Sequence, residues 1–287
     1  MIQVKKHGPV TGFRLARTLL GRGRYFTACF HVDGLMVDSG CQFTVPELLA
    51  ALEGLPVHTV LTTHSHEDHV AGNEPFARLR GARVYAHALA LPILRGDAPR
   101  PALMPYQKVL WGWPATCQAQ EAPAVIETGH YRFEVLHTPG HGQDHLCLYE
   151  PNEGWLFCGD AYVGGRDRGL RAGYDVWGII ASLKKLAVLN ISRLFCGSGS
   201  VLDRPGQELL DKIAYLEETG QHILAAHQKG WPVGRIRKKI LGPRQQIDYL
   251  TQGDFSGANM VRSYLGDSPW KASVLAGDDR PDGGALK

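Results

Sequence analysis

Six consecutive residues, His64-Ser65-His66-Glu67-Asp68-His69, hold three imidazoles and two carboxylates, and Thr62-Thr63 joins them to the strand-like run at 57–61. A cluster this dense repels itself or stays solvated unless a cation organises it. His64 and His66 alternate at the end of a strand and can point the same way, whereas Asp68 and His69 fall on the turn and first helical residues that follow. One metal can take the first pair and a neighbouring metal the second. Neutral imidazole and carboxylate suit zinc, iron or manganese, and ligand type alone does not choose among them.

Three further elements carry chemistry-bearing residues in order along the chain. Leu35-Met36-Val37-Asp38-Ser39-Gly40 reads as a strand ending in an Asp-x-Gly turn. Thr138-Pro139-Gly140-His141 precedes an Asp144-His145 step into a strand, and Leu156-Phe157-Cys158-Gly159-Asp160 is an apolar strand delivering a carboxylate. With the His-x-His-x-Asp-His run, these elements over about residues 25–200 resemble the metallo-β-lactamase superfamily of metallohydrolases, in its glyoxalase II-like or lactonase-like branch. The resemblance implies metal ligands His64, His66 and His141 at one position and Asp68, His69 and Asp160 at a second, with Asp160 bridging. It also implies that Asp68 and Asp160 are the catalytic carboxylates, that Asp38 is structural, and that one or two zinc ions bind, with iron or manganese as alternatives.

One element departs from the family pattern. Where a late strand should lead into Pro-Gly-His-Gly, the chain reads Phe195-Cys196-Gly197-Ser198-Gly199-Ser200, so Ser198 stands in the place of the last histidine. A serine hydroxyl is a far poorer ligand for such a metal than imidazole, and the second position is expected to be weakened. His222 and His227, in a helical stretch, read as partly exposed helix histidines rather than replacements.

The elements that must position these residues alternate strand and helix. Residues 25–32 and 35–37 form an expected hairpin turning at Asp33-Gly34. A helix is expected over 45–52 with Pro46 in its first turn, and a buried strand over 57–61 delivers the histidines. A helix at 74–80, a strand at 82–86 and a helical piece at 88–94 follow. Strands are expected at 131–136, 145–149, 155–158 and 193–196, with a helix over 176–189. Such alternation implies layered α/β (α+β) structure. The resemblance specifies an αββα sandwich with a helical C-terminal extension: a catalytic domain at 1–204 with an insert or lid at 96–124, a helical region at 205–265 and a flexible tail at 266–287.

The insert is rich in proline and aromatic residues and follows neither periodicity. Tyr106, Trp111 and Trp113 within it are expected both to pin it onto the core and to wall the substrate pocket. The C-terminal region shows long helical patterning at 207–227 and again at 254–265, with a basic run, Arg235-Ile236-Arg237-Lys238-Lys239, suited to an anion or simply solvated.

Of 287 residues, 44% are hydrophobic, and the formal charge of +3 is too small to argue for nucleic acid. No apolar run approaches the ~20 residues that span a bilayer. The N-terminal residues lack a signal-like apolar stretch, and the six cysteines follow no Cys-x-x-Cys spacing. These features lead us to expect a cytoplasmic enzyme acting on a small molecule, compatible with a homo-oligomer.

The chemistry expected is hydrolysis: a metal-activated water attacking an ester, thioester, lactone or related carbonyl. A mononuclear-iron persulfide dioxygenase using His64, His141 and Asp160 is one alternative. An RNA-processing metallonuclease, resting on the basic segment, is another.

Overall fold

The computed structural model describes residues 1–99 and 102–266, and so the expected tail lies, from residue 267 onward, outside the described residues. Two compact units are present, one comprising Met1–Arg166 and Gly178–Leu216, the other Asp167–Trp177 and the chain from Glu217. No described helix is long and apolar enough to cross a membrane.

The first unit is built on two sheets. The first sheet runs in chain order through β1 (Ile2–His7), β2 (Val10–Leu15), β3 (Thr27–Val32), β4 (Leu35–Val37), β5 (Thr59–Leu61), β6 (Arg83–Ala86) and β7 (Gln120–Glu121). The second runs through β8 (Val125–Glu127), β9 (Arg132–His137), β10 (Leu146–Glu150), β11 (Trp155–Gly159), β12 (Arg193–Cys196) and β13 (Val201–Asp203). Pairing is antiparallel from β1 to β4 and parallel from β4 to β7. In the second sheet only β11 and β12 pair in parallel.

Alternation along each strand assigns its two faces. In β3, Ala28, Phe30 and Val32 enter one apolar cluster together with Phe133, Leu148, Phe157 and Phe195 of the second sheet. Cys29, with Phe13 and Leu15 of β2 and Met36 of β4, enters another. That second cluster is closed by Leu48 of α1 (Val45–Ala51), Phe76 of α2 (Asn73–Arg80) and Leu94 of α3 (Leu91–Arg95). The first sheet therefore carries helices on one face and the second sheet on the other, as binary patterning demands of a sheet buried on both sides. Stacked Phe157 and Phe195 rings, 4.6 Å apart, sit between the sheets.

Within the insert a short helix, α4 (Pro105–Leu110), opens on Pro105 where the sequence offers no periodicity. Helix α5 (Val176–Ala187) lies against the loop after β9, where Ser182 donates to the Pro139 carbonyl at 2.7 Å and Lys185 to that of His137 at 3.1 Å. All six cysteines are buried, and none is in a disulfide.

The second unit contains the later part of α6 (Gly206–Gln228), then α7 (Val233–Ile236), a π-type turn at Arg237–Leu241, α8 (Gln246–Leu250) and α9 (Gly257–Leu265). The helix expected from Asp254 begins only at Gly257. Phe255–Ser256 is instead a strand pairing with Leu170–Arg171, and Ser256 caps α9 by accepting from the Asn259 N–H at 3.2 Å.

Candidate metal centre

Strand β5 ends at Leu61, three residues before the first of the histidines, and a buried carboxylate fixes the geometry of the loop that follows. Asp38, at the end of β4, has left-handed backbone, φ 62°, which turns its side chain toward the β5 loop. Its Oδ1 accepts the Thr63 N–H at 2.7 Å, and its Oδ2 accepts the Thr63 hydroxyl at 2.8 Å and the His69 Nδ1–H at 2.7 Å. A hydroxyl has one proton, and Thr63 gives its proton to Asp38. The 3.0 Å contact between Thr63 Oγ1 and His64 Nδ1 therefore runs from the imidazole to the hydroxyl. That leaves a bare lone pair on His64 Nε2, which faces His66 Nδ1 at 2.8 Å.

From the second sheet come His141 and Asp160. His141 Nε2 lies 3.1 Å from His66 Nδ1 and 3.4 Å from Asp160 Oδ2. The Asp160 backbone N–H donates to His145 Nε2 at 3.1 Å, which makes the other ring nitrogen of His145 the donor to Thr138 Oγ1 at 2.9 Å. Gly159, φ 47°, permits this approach, because a Cβ there would stand 2.8 Å from both His145 Nε2 and Thr63 Oγ1.

Two sets of ligand atoms converge within 4.8 Å of one another: His64, His66 and His141, and His64, His69 and Asp160. Asp68 joins the second set's margin, its Oδ2 3.6 Å from His69 Nε2. The Ser198 hydroxyl donates to Ser200 Oγ at 3.3 Å, and Gly197 beside it packs so closely on Asp160 that a Cβ there would collide with Oδ1. His222 and His227 are exposed on α6 and belong to neither set.

The aromatic insert is tied to the same loop. Buried Gln107 donates to Glu67 Oε1 at 2.5 Å, and Gln42 both donates to the Trp111 carbonyl at 3.1 Å and accepts the Trp113 N–H at 2.7 Å. Tyr106 is buried and meets Trp111 edge-on at 5.9 Å, while Trp113 is 41% exposed. The sequence offers Glu67 only within the histidine cluster and His145 only within the Asp144-His145 step, and does not single out Gln107; the structure bonds Gln107 to Glu67 and the Asp160 N–H to His145. The polar Asp144-His145 pair opening an otherwise apolar strand is the signal that marks His145.

Burial and neighbouring charge partition the protons of this site. Burial, reinforced by the surrounding imidazoles, pushes His64 well below the ordinary histidine value and His145 down to about 3. Burial raises Asp68 to about 7. Asp160 is buried too, which alone would raise it, yet the adjacent His69, His141 and His145 hold it well below the usual carboxylate range. Burial likewise opposes a charged His69, but Asp68, Asp38 and Asp160 outweigh it and push its pKa far up. The carboxylates thus demand one cation at the His69 position.

A divalent metal fits that demand. His69 Nε2 is buried with no hydrogen-bond partner, while its Nδ1–H is held by a carboxylate, the arrangement of a metal-ligating imidazole. His64 Nε2 offers a bare lone pair into the same space, and the remaining donors are imidazole and carboxylate, which suit zinc, manganese or iron.

Comparison with known proteins bears on the family and the fold. A family model described as the metallo-beta-lactamase superfamily matches residues 31–198. The chain is 28% identical over 196 residues to the Beta-lactamase-like protein 2 homolog of Drosophila melanogaster, covering 66% of this chain and 63% of that one. It is 30% identical over 168 residues to the hydroxyacylglutathione hydrolase of Methylobacillus flagellatus, covering 58% of each. The matches therefore span less than two thirds of these curated relatives. Among solved structures, a metallo-beta-lactamase family protein from Thermus thermophilus superposes with a TM-score of 0.60 at 20% identity, covering 88% of this chain and 91% of that one. A metallo-beta-lactamase from Pontibacter korlensis superposes at 0.59 and 19% identity, covering 76% and 99%.

Proposed function

The chain belongs to the metallo-β-lactamase superfamily, and from that premise we propose that it is a metal-dependent hydrolase of small acyl substrates, with thioesters and lactones first among them. The observation that carries this reading is the convergence of His64, His66 and His141, beside His69 and Asp160, around a buried, unpartnered imidazole nitrogen. We assign His64, His66 and His141 to the stronger metal position and Asp68, His69 and Asp160 to a weaker one. Zinc is the ion we favour.

A divalent ion bound there supplies Lewis acidity toward the carbonyl and an acidified water. The chain's own groups do the rest. Asp160, ionised and with its backbone held by His145, orients the attacking water. Asp68, whose Oδ2 lies 3.6 Å from His69 Nε2 beside that centre, is the carboxylate assigned to accept its proton. Asp38 and Thr63 hold His69 and His64 in the tautomers that present Nε2. Trp113 and Trp111 form one wall of the substrate pocket, anchored through Gln42.

With Ser198 where an imidazole would stand, help for the leaving group is reduced. Substrates that lose a thiolate or an activated alcohol need it least, and phosphodiesters, whose displacement uses two ions, need it most. The hydroxyacylglutathione hydrolases, by name, remove an acyl group from glutathione, in line with this choice. Six buried cysteines outside any disulfide support a reducing, cytoplasmic setting.

The test is a panel of acyl thioesters, aryl esters and lactones, assayed without oxygen on zinc- or manganese-loaded protein. Turnover should appear and should vanish in Asp160→Asn and His141→Ala, while Trp113→Ala should raise KM with metal content unchanged. Activity that requires iron, consumes dioxygen and uses only a persulfide would replace hydrolysis with oxygenation.

A further inference from the structure

Between Thr62 and His69 the metal loop alternates in what it bonds to. His64, His66 and Asp68 carry the atoms assigned above to metal. The residues between them are bonded to the rest of the first unit instead. Thr63 is held by Asp38 at 2.7 and 2.8 Å, the Ser65 N–H donates to Asp144 Oδ2 at 2.8 Å, and Glu67 Oε1 accepts from Gln107 Nε2 at 2.5 Å. Asp38 follows β4 and Asp144 precedes β10, so the first two anchors belong to the sheets. The third does not: Gln107 stands in α4, inside the insert.

The side chain of Gln107 is committed to that contact. It is fully buried, and its Oε1 accepts the Met104 N–H at 2.7 Å, which leaves the amide N–H groups as the end facing Glu67. Glu67 is itself 6% exposed, and a carboxylate so placed is costly to leave without a donor. The backbone carbonyl of Gln107 accepts the Trp111 N–H at 2.8 Å and the Gly112 N–H at 3.1 Å, and Gln42 then accepts the Trp113 N–H at 2.7 Å. One residue therefore ties the metal loop to the turn that leads into the two tryptophans.

The three anchors divide the loop between them. His64 lies between the Asp38 and Asp144 anchors, whereas Asp68 lies beyond both and directly follows Glu67. We propose that Gln107 is a positioning residue for the weaker metal position, holding Asp68 through Glu67, so that the insert and the metal loop are set as one. The inference rests on the metal reading given above and adds to it the insert's share in metal affinity. By reciprocity, a ligand that favours the insert seated on Glu67 tightens that metal position by the factor with which the metal tightens the ligand.

The test is zinc titration of the full chain against a chelating indicator, read as two affinities in wild type, in Gln107→Glu and in the double variant that adds Glu67→Gln. Gln107→Glu keeps an acceptor for the Met104 N–H and changes only the group facing Glu67, setting two carboxylates against each other. It should weaken the second affinity by about tenfold and the first by no more than about twofold, as for loss of a partner behind one metal ligand. The added negative charge alone would tighten a cation, so weakening reports position rather than charge. The double variant exchanges amide and carboxylate, rebuilds the hydrogen bond at the wild-type net charge, and should return the second affinity to within about threefold of wild type. A general loss of folding would weaken both affinities alike. That result, unchanged affinities in Gln107→Glu, a double variant as weak as Gln107→Glu, or a wild type with no second affinity up to millimolar zinc would each overturn the inference while leaving the first metal position intact. A wild type that takes no zinc at all would overturn the metal reading together with it.

Discussion

Asp38 gathers the Thr63 N–H, the Thr63 hydroxyl and the His69 Nδ1–H on one buried carboxylate, and so sets two imidazoles at once. Its replacement by Ala frees His69 to rotate and removes the charge that makes the imidazole a better ligand. We expect metal affinity to fall by about 10- to 100-fold, read by chelator competition. Unchanged affinity would mean that His69 is not oriented through Asp38. His145 acts differently, as a neutral acceptor for the Asp160 N–H. Its folded pKa of about 3 lies below the 6.5 of a free imidazole, so between those values the unfolded chain holds an extra proton, and stability falls as pH drops through that window. In metal-free His145→Asn, stability should depend less steeply on pH across this range, by up to about 1.4 kcal/mol per pH unit. Denaturant melts at several pH values measure this, and parallel slopes in the two proteins would contradict it.

At the scale of elements, the parts written in local spacing were legible and those made by long-range docking were not. The Asp33-Gly34 turn has positive φ at both residues, 48° and 80°, as a two-residue hairpin between β3 and β4 requires, and the pair announces it. The metal loop after β5 and the strand before Asp160 follow their apolar runs closely. The β1–β2 hairpin escaped because β1 is mostly exposed and lysine-bearing, leaving no buried face to alternate. Six-residue α4 is too short for helical period to register amid prolines. The links Gln107 to Glu67 and His145 to Asp160 join separate elements, so no local pattern encodes them. The loop after β12 matters most for what the chain can bind. There Ser198 bonds Ser200 while Gly197 abuts Asp160. Ser198→His would return an imidazole to that loop, and metal content after dialysis should rise from nearer one equivalent toward two. Two equivalents already held by the native protein, and kept by Ser198→Ala, would show that the serine weakens nothing.

For the whole molecule, two sheets meeting through Phe30, Phe133, Phe157 and Phe195 make a rigid platform, and the ligand loops leave it from β4, β5, β9 and β11. His64, His66 and His69 come from the first sheet, and His141 and Asp160 from the second, so an ion held among them would stabilise the folded state over the unfolded one. Diffraction from zinc-loaded crystals at the zinc absorption edge addresses the claim most directly. The strongest anomalous peak should lie among His64, His66 and His141, with a weaker one beside Asp68, His69 and Asp160. A strongest peak elsewhere in the molecule, or none with zinc in excess, would contradict the account.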